Sequence, residues 1–160
     1  MDIVKEIKRL FKKPWTDALS ANVAFYPNKI IVQTLDYTDG PMVITNKFTI
    51  LPTDVSLIVL GQTLKKHLHL TEHCVEYNQT ENAWTDYKKA AGFKTNKETY
   101  KDARLISCDQ KDNIITLTPT ENRYNTGYDH RPDLNIKLPH TISDEELGLQ
   151  LTKARDLSNG

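Results

Sequence analysis

The sequence is poor in the residues that mark most specialised sites. Its 160 residues include only two cysteines and six glycines. Cys74 and Cys108 form no CxxC pair, which argues against a secreted disulfide scaffold and fits a reducing compartment. The glycines are scattered singly, so no glycine-rich loop is available for a phosphate, and no GxSxG segment marks a serine nucleophile. The sequence therefore predicts no catalytic residues and no cofactor.

An excess of charge of either sign is also missing. The chain carries 21 basic and 21 acidic residues. A domain that depends on phosphate contacts usually has an obvious basic excess, so we expect no nucleic-acid partner. Basic residues are concentrated in two stretches, which we interpret as solvated faces because scattered lysines usually keep a protein soluble. They are Lys5, Lys8, Arg9, Lys12 and Lys13 in the first stretch, and Lys88, Lys89, Lys94, Lys97, Lys101 and Arg104 in the second.

Long hydrophobic runs are absent as well. The longest lies near Leu57 to Leu60, whereas a membrane-spanning helix needs about 20 apolar residues. The N-terminus has no apolar core and no small-residue cleavage site of the kind that signal peptides carry. The sequence therefore predicts a soluble cytoplasmic protein without a membrane partner, and a monomer until a partner binds.

What is present predicts a mixture of helices and strands. Apolar residues recur at helical spacing in residues 2–13, and Pro14 is a stop signal. Residues 22–51 then change to runs of β-branched and aromatic residues. Turn signals at residues 27–28 and 39–41 divide this stretch, which predicts three strands joined by tight turns.

Two helices are predicted in the middle of the chain. Thr53 is a candidate N-cap for a helix in residues 53–70, because apolar residues follow it at helical spacing. A second helix is predicted for residues 80–91, with Gly92 as its C-cap. The apolar positions of the first helix are Leu57, Leu60, Gly61, Leu64 and Leu68.

The remaining segments complete the predicted fold. Two short strands surround a turn at residues 109–113, and residues 134–139 predict an edge strand. A final helix opens with Ser143 as N-cap and Glu146 three residues later, which is the spacing of a capping box. The fold class is therefore α+β, a single domain over residues 1–160 with a mostly antiparallel sheet of five or six strands and helices packed on it.

The segment HLHLTEHC, residues 67–74, concentrates potential metal ligands. Zinc needs about four ligands that converge on one point. On a helix His67 and His69 point to nearly opposite sides, and on a strand His73 does not return to the point that the other two share. The segment lies at a helix C-terminus, where the dipole favours histidine. We therefore predict no metal site and interpret these as capping and surface histidines, while Cys108 fits a buried strand position.

The segment TPTENRYNTGYDHRPD, residues 118–133, is the least ordinary part of the chain. It lies between two strand-like runs yet has almost no aliphatic residue, and connections in compact domains are usually about 4–6 residues long. We predict a long loop with an exposed pair of tyrosines. Tyrosine and arginine are enriched at interface hot spots, so the loop is a candidate protein-binding surface. The candidate contacts are Arg123, Tyr124, Tyr128, Asp129 and Arg131.

A nuclease is an alternative interpretation of the same loop. His130 or His140 would act with Glu121 as general acid and base, and Arg123 or Arg131 would hold a phosphate. A nuclease normally adds basic surface around its substrate, whereas the acids of this loop roughly cancel its arginines.

Two further alternatives remain open. In the first, the loop is only a solvated connection and does not contact the partner. The partner then contacts Asp36, Asp39 or the exposed face of the helix in residues 53–70. Four acids are expected to be exposed and to suit a basic partner, namely Asp36, Asp39, Glu72 and Glu76. In the other alternative the domain binds a small molecule or a nucleic acid rather than a protein.

Four blocks of the sequence carry a resemblance to a known family. They are FYPNKIIVQTLDYTDG (25–40), AAGFKTNKETYKDARLISC (90–108), ITLTPTENR (115–123) and ISDEELGLQL (142–151). In this order they resemble the immunity proteins of bacterial contact-dependent growth inhibition (CDI) systems, called CdiI. The resemblance implies an intracellular, non-enzymatic protein that binds and neutralises the C-terminal toxin domain of a cognate CdiA effector, frequently a nuclease. It implies no contact residues, because immunity proteins diversify with their toxins.

Overall fold

A computed structural model describes residues 2–77, 83–124 and 126–160. The strands are β1 (Leu19–Tyr26), β2 (Lys29–Tyr37), β3 (Met42–Leu51), β4 (Arg104–Lys111), β5 (Ile114–Asn122), β6 (Tyr128–His130) and β7 (Ile136–Pro139). The helices are α1 (Ile3–Phe11), α2 (Leu57–His69), α3 (Ala83–Ala91), α4 (Asn96–Tyr100) and α5 (Asp144–Leu157), with a short 3-10 helix at Pro132–Leu134.

The strands form one sheet with helices on both faces. Strands β3, β2, β1, β4 and β5 follow one another across it, and β6 and β7 both pair with β5. Each strand pair within the described ranges is antiparallel. The predicted α+β class and antiparallel sheet are thus confirmed. In the described parts of the chain the sheet has seven strands rather than five or six, because the segment predicted as a loop contains β6.

Two tight turns connect the central strands as the sequence predicts. The pairing of Tyr26 with Lys29 leaves a two-residue turn between β1 and β2. Strands β4 and β5 are joined by Asp112 and Asn113, which both have positive φ, 51° and 63°. Asn and Asp tolerate this left-handed conformation, which two-residue hairpins of right-handed twist require.

The main core lies between the sheet and helices α2 and α5. Alternate residues of the central strands point to this side, as the two-residue period of a strand requires. The helices contribute their apolar stripes, as the sequence predicts. The buried residues of this core include Ala21, Val23, Val32, Leu60, Leu64, Leu68, Ile106, Cys108, Ile115, Leu117, Leu147, Leu151 and Ala154.

Helices α2 and α5 pack unusually close together. A Cβ atom at Gly61 would overlap the main-chain carbonyl of Asp144, and a Cβ atom at Gly148 would overlap that of Leu57. Next to this contact, Lys65 Nζ lies 2.7 Å from Asp144 Oδ1 and donates a hydrogen bond to the carbonyl of Ile142. The glycines therefore set the distance between the helices.

A second, aromatic core lies on the opposite face of the sheet. Tyr26 and Tyr87 are its largest buried residues, and Phe48 of β3 meets the Tyr87 ring edge-on. The Tyr26 hydroxyl donates to the carbonyl of Thr99, 2.7 Å away, and burial raises the pKa of Tyr26 well above its usual range. This core fixes α3 and α4 on the sheet.

The helix boundaries differ from the prediction in several places. Helix α2 begins after Ser56, whose side chain accepts a hydrogen bond from the backbone N–H of Val59, so Thr53 as N-cap was wrong. Residues 53–55 instead belong to the turn that connects β3 with the helix. Thr53 and Ser56 are the same kind of capping residue, and only the packing of the following apolar stripe distinguishes them.

The later helices follow the prediction more closely. Helix α3 matches the predicted helix 80–91 from Ala83 onward, since residues 80–82 lie outside the described residues, and Gly92 follows it with φ +77°. Helix α4 was not predicted, although Thr95 and Glu98 form a capping box at its start. Ser143 caps α5 as predicted, by accepting from the backbone N–H of Glu146.

The segment after α5 is fastened to β5. Ser158 Oγ accepts a hydrogen bond from the backbone N–H of Thr120. The main chain of Asn159 then donates to the carbonyl of Thr120 and accepts from the N–H of Asn122, both at 3.1 Å. These bonds satisfy the main chain at the end of β5, where its pairing with β4 has ended.

Helix α1 lies within the predicted residues 2–13, but its setting differs from that of α2 and α5. Its large apolar side chains are exposed. None of the helices within the described ranges is long and apolar enough to span a membrane.

Candidate partner-binding surfaces

The segment predicted as a long loop is mostly a β-hairpin. Strand β5 continues to Asn122, a short connection follows, and β6 pairs back onto residues 120–122. Buried polar side chains take the place of aliphatic ones. Thr120 Oγ1 donates to the carbonyl of Leu105 at 2.7 Å, and Asn122 Nδ2 donates to that of Tyr100 at 2.6 Å. The prediction of a long loop was therefore wrong. A strand whose buried polar side chains are hydrogen-bonded does not need an aliphatic pattern.

The charged residues of this hairpin are paired with one another. Arg123 Nε lies 2.5 Å from Asp129 Oδ2. The Arg131 guanidinium contacts both carboxylate oxygens of Asp133 and lowers the pKa of that carboxyl. All four side chains are substantially exposed. The hairpin therefore presents paired, nearly neutral polar groups rather than a charged patch.

The two tyrosines of the hairpin have different environments. Tyr124 is 55% exposed, and its hydroxyl donates to the carbonyl of Gly160. Tyr128 is half-buried against the Tyr100 ring, with the centroids 5.4 Å apart, and burial raises its pKa. The prediction that both tyrosines are exposed is therefore wrong for Tyr128. The pairing of β6 with β5 places Tyr128 opposite Asn122 and turns its ring toward the aromatic core.

The histidines of the nuclease alternative lie at opposite ends of β5. His130 pairs with Thr120, whereas His140 follows Pro139, which pairs with Ile114. Thr120 and Ile114 are six positions apart along β5, which corresponds to about 20 Å. The two histidines therefore cannot act on one reacting group. Glu121 pairs with Asp129, on the rung next to His130, so the side chains of Glu121 and His130 point to opposite faces of the sheet.

The aspartates proposed as alternative contacts also differ from each other. Asp36 is buried, forms an ion pair with Lys47 at 3.1 Å, and accepts from the backbone N–H of Glu72, so its expected exposure was wrong. Asp39 is exposed at the turn after β2. The backbone N–H of Tyr77 and the ammonium group of Lys12 lower the pKa of Asp39.

A groove of about 650 Å³ lies beside these aspartates. Its walls are the first half of β3, the segment after α2 and the start of α3, and β3 is a terminal strand of the described sheet. Among the described residues, three acids and one lysine line the groove, so this lining has a negative charge. The lining residues include Asp36, Lys47, Glu72 and Glu76, and the apolar Met42, Val43, Ile44, Val75, Tyr77 and Trp84. Sequence reasoning missed this groove, because its walls come from three segments far apart in the chain.

The histidines of residues 67–74 occupy three separate environments. His67 is buried, with Nδ1 2.9 Å from Thr34 Oγ1 and Nε2 2.8 Å from Thr49 Oγ1. Its interpretation as a surface residue was wrong, and burial lowers its pKa to about 4. His69 is exposed at the helix end, and His73 lies 2.7 Å from the carbonyl of Ala18. Among the residues that the structure describes, no three potential metal ligands converge.

The two cysteines are also separated. Cys108 is fully buried in the main core, and burial raises the pKa of its thiol, which confirms the predicted buried strand position. Cys74 lies in the segment after α2, where its thiol donates to the carbonyl of Lys12.

Comparison with known proteins places the chain in a family. The family model described as "CdiI: CDI immunity protein" matches residues 19–158, so the chain belongs to the CDI immunity protein family, as the sequence resemblance indicates. No match is found among curated proteins.

Two solved structures share the fold at low sequence identity. A protein of unknown function from Neisseria meningitidis, NMB0488, is 18% identical with a TM-score of 0.77, and the match covers 93% of this chain and 100% of that one. A CdiA-CT/CdiI toxin and immunity complex from Yersinia pseudotuberculosis contains a chain that is 17% identical with a TM-score of 0.78. That match covers 90% of this chain and 99% of that one.

Proposed function

We propose that this protein binds the C-terminal toxin domain of a cognate CdiA effector in the cytoplasm and neutralises it, and that the toxin is a nuclease. Membership of the CDI immunity protein family carries the proposal, because the match covers residues 19–158. The similar Yersinia chain comes from a complex of a toxin with its immunity protein. The protein itself acts by binding and performs no chemistry.

The acidic groove is the surface that best fits such a partner. A nuclease binds a polyanion and therefore presents a basic cleft. Glu72 and Glu76 line the groove beside exposed apolar area at Met42 and Tyr77. Apolar contacts surrounded by complementary charge are the usual composition of a protein interface, and complementary charge also accelerates association.

The hairpin is the second candidate surface. Tyr124 offers a large exposed ring, and the Arg123–Asp129 and Arg131–Asp133 pairs hold their side chains in place. Ordered side chains lose little conformational entropy when a partner binds. The described lining of the groove has two more acids than lysines, whereas each arginine of the hairpin is paired with an aspartate, so the groove is more attractive to a basic cleft than the hairpin.

Co-expression with the toxin tests the proposal. The toxin domain encoded next to the gene for this chain should co-purify with it, and the dissociation constant should be roughly nanomolar or tighter. The free toxin should degrade RNA or DNA, and one equivalent of this protein should stop the reaction. A toxin that is neutralised but has another activity would overturn only the nuclease part of the proposal.

Two other results would overturn the proposal as a whole. If the isolated protein cleaves nucleic acid and His130→Ala abolishes the cleavage, the protein is an enzyme. If it binds oligonucleotides with steep salt dependence and does not bind the toxin, it is a nucleic-acid-binding module.

A further inference from the structure

Helix α1 exposes the side of the helix that a globular domain normally buries. Its apolar residues lie at positions i, i+1, i+4, i+7 and i+8, which form one stripe on a helix. Leu10 is 75% and Phe11 83% exposed, whereas the stripes of α2 and α5 are buried in the main core. The stripe consists of Ile3, Val4, Ile7, Leu10 and Phe11.

The described contacts with the domain are at the end of the helix and beyond it. Lys12 Nζ lies 3.2 Å from Asp39 Oδ2, and the carbonyl of Lys12 accepts from Cys74 Sγ. The Trp15 ring meets the Tyr37 ring edge-on, with centroids 5.2 Å apart. These contacts attach residues 12–15 to the domain, while the apolar stripe of α1 faces away from both cores.

The same segment carries a local excess of positive charge. Residues 2–13 contain five basic residues, Lys5, Lys8, Arg9, Lys12 and Lys13, against the acids Asp2 and Glu6. The chain as a whole has no net charge, and this segment is one of its two basic stretches, the one that also carries an exposed apolar stripe. A short helix with an apolar stripe and a cluster of lysine and arginine is the pattern of helices that lie in the interface of an anionic membrane.

Trp15 adds an independent observation. It is 73% exposed and follows Pro14 directly. Tryptophan is favoured at the boundary between acyl chains and headgroups, because its ring is amphipathic. The residue lies at the end of the helix, where the chain would leave the lipid and enter the domain.

We propose that residues 2–15 form a membrane-surface anchor that docks the protein on a bilayer containing anionic phospholipid. Other occupants of the stripe fit less well. A second copy of the helix, or a basic toxin, would bring like charge against the lysines, and a nucleic acid would leave the apolar stripe in water. An anionic bilayer would bury the apolar side chains of the stripe and would also attract the basic side chains. The anchor precedes residues 19–158, which match the immunity family, so it is separable from toxin binding.

The sequence predicted no membrane partner because its apolar runs are too short to span a bilayer. A surface anchor has a different requirement, namely an amphipathic stripe without a protein partner. The pattern of residues 2–13 contains the stripe, but only the structure places it outside both cores.

Sedimentation with lipid vesicles tests the anchor. The whole protein should sediment with vesicles of phosphatidylcholine and phosphatidylglycerol, and it should remain in solution with vesicles of phosphatidylcholine alone. Added salt should weaken the binding, because it screens the attraction between lysine and lipid. Phe11→Glu should reduce the bound fraction about tenfold or more, since it removes a large apolar side chain and adds a repelled charge.

Ile58→Glu is the matched control. Ile58 is 46% exposed in the first turn of α2, where a glutamate is compatible with the helix dipole. This variant should bind vesicles like the original protein, and Phe11→Glu should still bind the toxin.

The proposal is overturned if the unchanged protein does not bind anionic vesicles, or if Phe11→Glu binds them equally well. It is also overturned if ultracentrifugation without lipid finds a dimer that Phe11→Glu dissociates, because the stripe would then pair two copies of the chain.

Discussion

Gly61 of α2 packs directly on the main-chain carbonyl of Asp144 at the start of α5. One turn away the roles are reversed, since Gly148 of α5 packs on the carbonyl of Leu57. This reciprocal pattern shows that the two helices run antiparallel, and it leaves no space for a side chain at either glycine.

A methyl group at either glycine should therefore destabilise the domain. Alanine favours a helix over glycine by about 1 kcal/mol, so an increase in stability would be expected from propensity alone. The overlap with a main-chain carbonyl should outweigh this gain, and we expect Gly61→Ala and Gly148→Ala each to lower the free energy of unfolding by about 1–3 kcal/mol. Urea denaturation measures it.

Gly40→Ala is the control for this pair. A Cβ atom at Gly40 would meet only Thr38 Oγ1, at 3.7 Å, so the substitution should be nearly neutral. Equal effects at Gly40 and Gly61 would contradict the role of the helix contact.

His67 should make the stability of the domain depend on pH. Burial, with a smaller contribution from Lys66, lowers its pKa from 6.5 to about 4 in the folded protein. The unfolded chain therefore binds more protons between these values, and stability falls as the pH drops through this window. The full loss should be about 3 kcal/mol. Urea denaturation at neutral pH and at about pH 5 measures the decline.

Substitution separates this effect from other titrations. His67→Gln should be less stable at neutral pH, because the hydrogen bonds with Thr34 and Thr49 are disturbed, but its stability should change less on acidification. The assignment to His67 fails if its substitution leaves the slope unchanged.

The two hairpin tyrosines should respond differently to truncation. Tyr124→Ala should change the free energy of unfolding by less than about 0.5 kcal/mol, because the side chain is exposed. Tyr128→Ala should cost about 2–4 kcal/mol, because its ring packs on Tyr100 and the aromatic core. Thermal or urea unfolding of the two variants measures the difference. Similar costs would show that β6 does not hold Tyr128 against the core.

Toxin binding should distinguish the groove from the hairpin. Glu72→Lys reverses a charge at the groove and should weaken binding to a basic toxin by more than about 1 kcal/mol. Asp156→Lys changes charge equally at the end of α5 and should leave the affinity unchanged. Titration calorimetry with the purified toxin measures both.

The hairpin variants complete this comparison. If Tyr124→Ala and Asp129→Ala weaken toxin binding while Glu72→Lys does not, the hairpin is the interface and the groove is not.

The sequence predicted most of the fold because its main elements are locally encoded. The three strands of residues 22–51 are rich in β-branched and aromatic residues and are separated by turn residues, and the apolar stripes of α2 and α5 have helical spacing. The prediction failed where polar residues are buried. Thr120, Asn122 and His67 look like surface residues in the sequence, yet their hydrogen-bond partners lie on segments far away in the chain.

The candidate surfaces were less predictable for the same reason. The types of residue in the hairpin were identified, but their pairing into Arg123–Asp129 and Arg131–Asp133 depends on the geometry of β5 and β6. Asp36 was read as exposed because its partners, Lys47 and the N–H of Glu72, come from other elements. Only the folded chain brings the walls of the groove together.

The bonds between Asn159 and β5 have a consequence for the timing of synthesis. The hydrogen bonds of the main chain at Thr120 and Asn122 require residues 158 and 159. These residues leave the ribosome almost forty residues later. Until then the end of β5 and the hairpin beside it lack part of their hydrogen bonding, although every strand of the sheet has already been made. A partner that meets the nascent chain would therefore find the hairpin without these hydrogen bonds, and the hairpin reaches its final hydrogen bonding only after residue 159 has emerged.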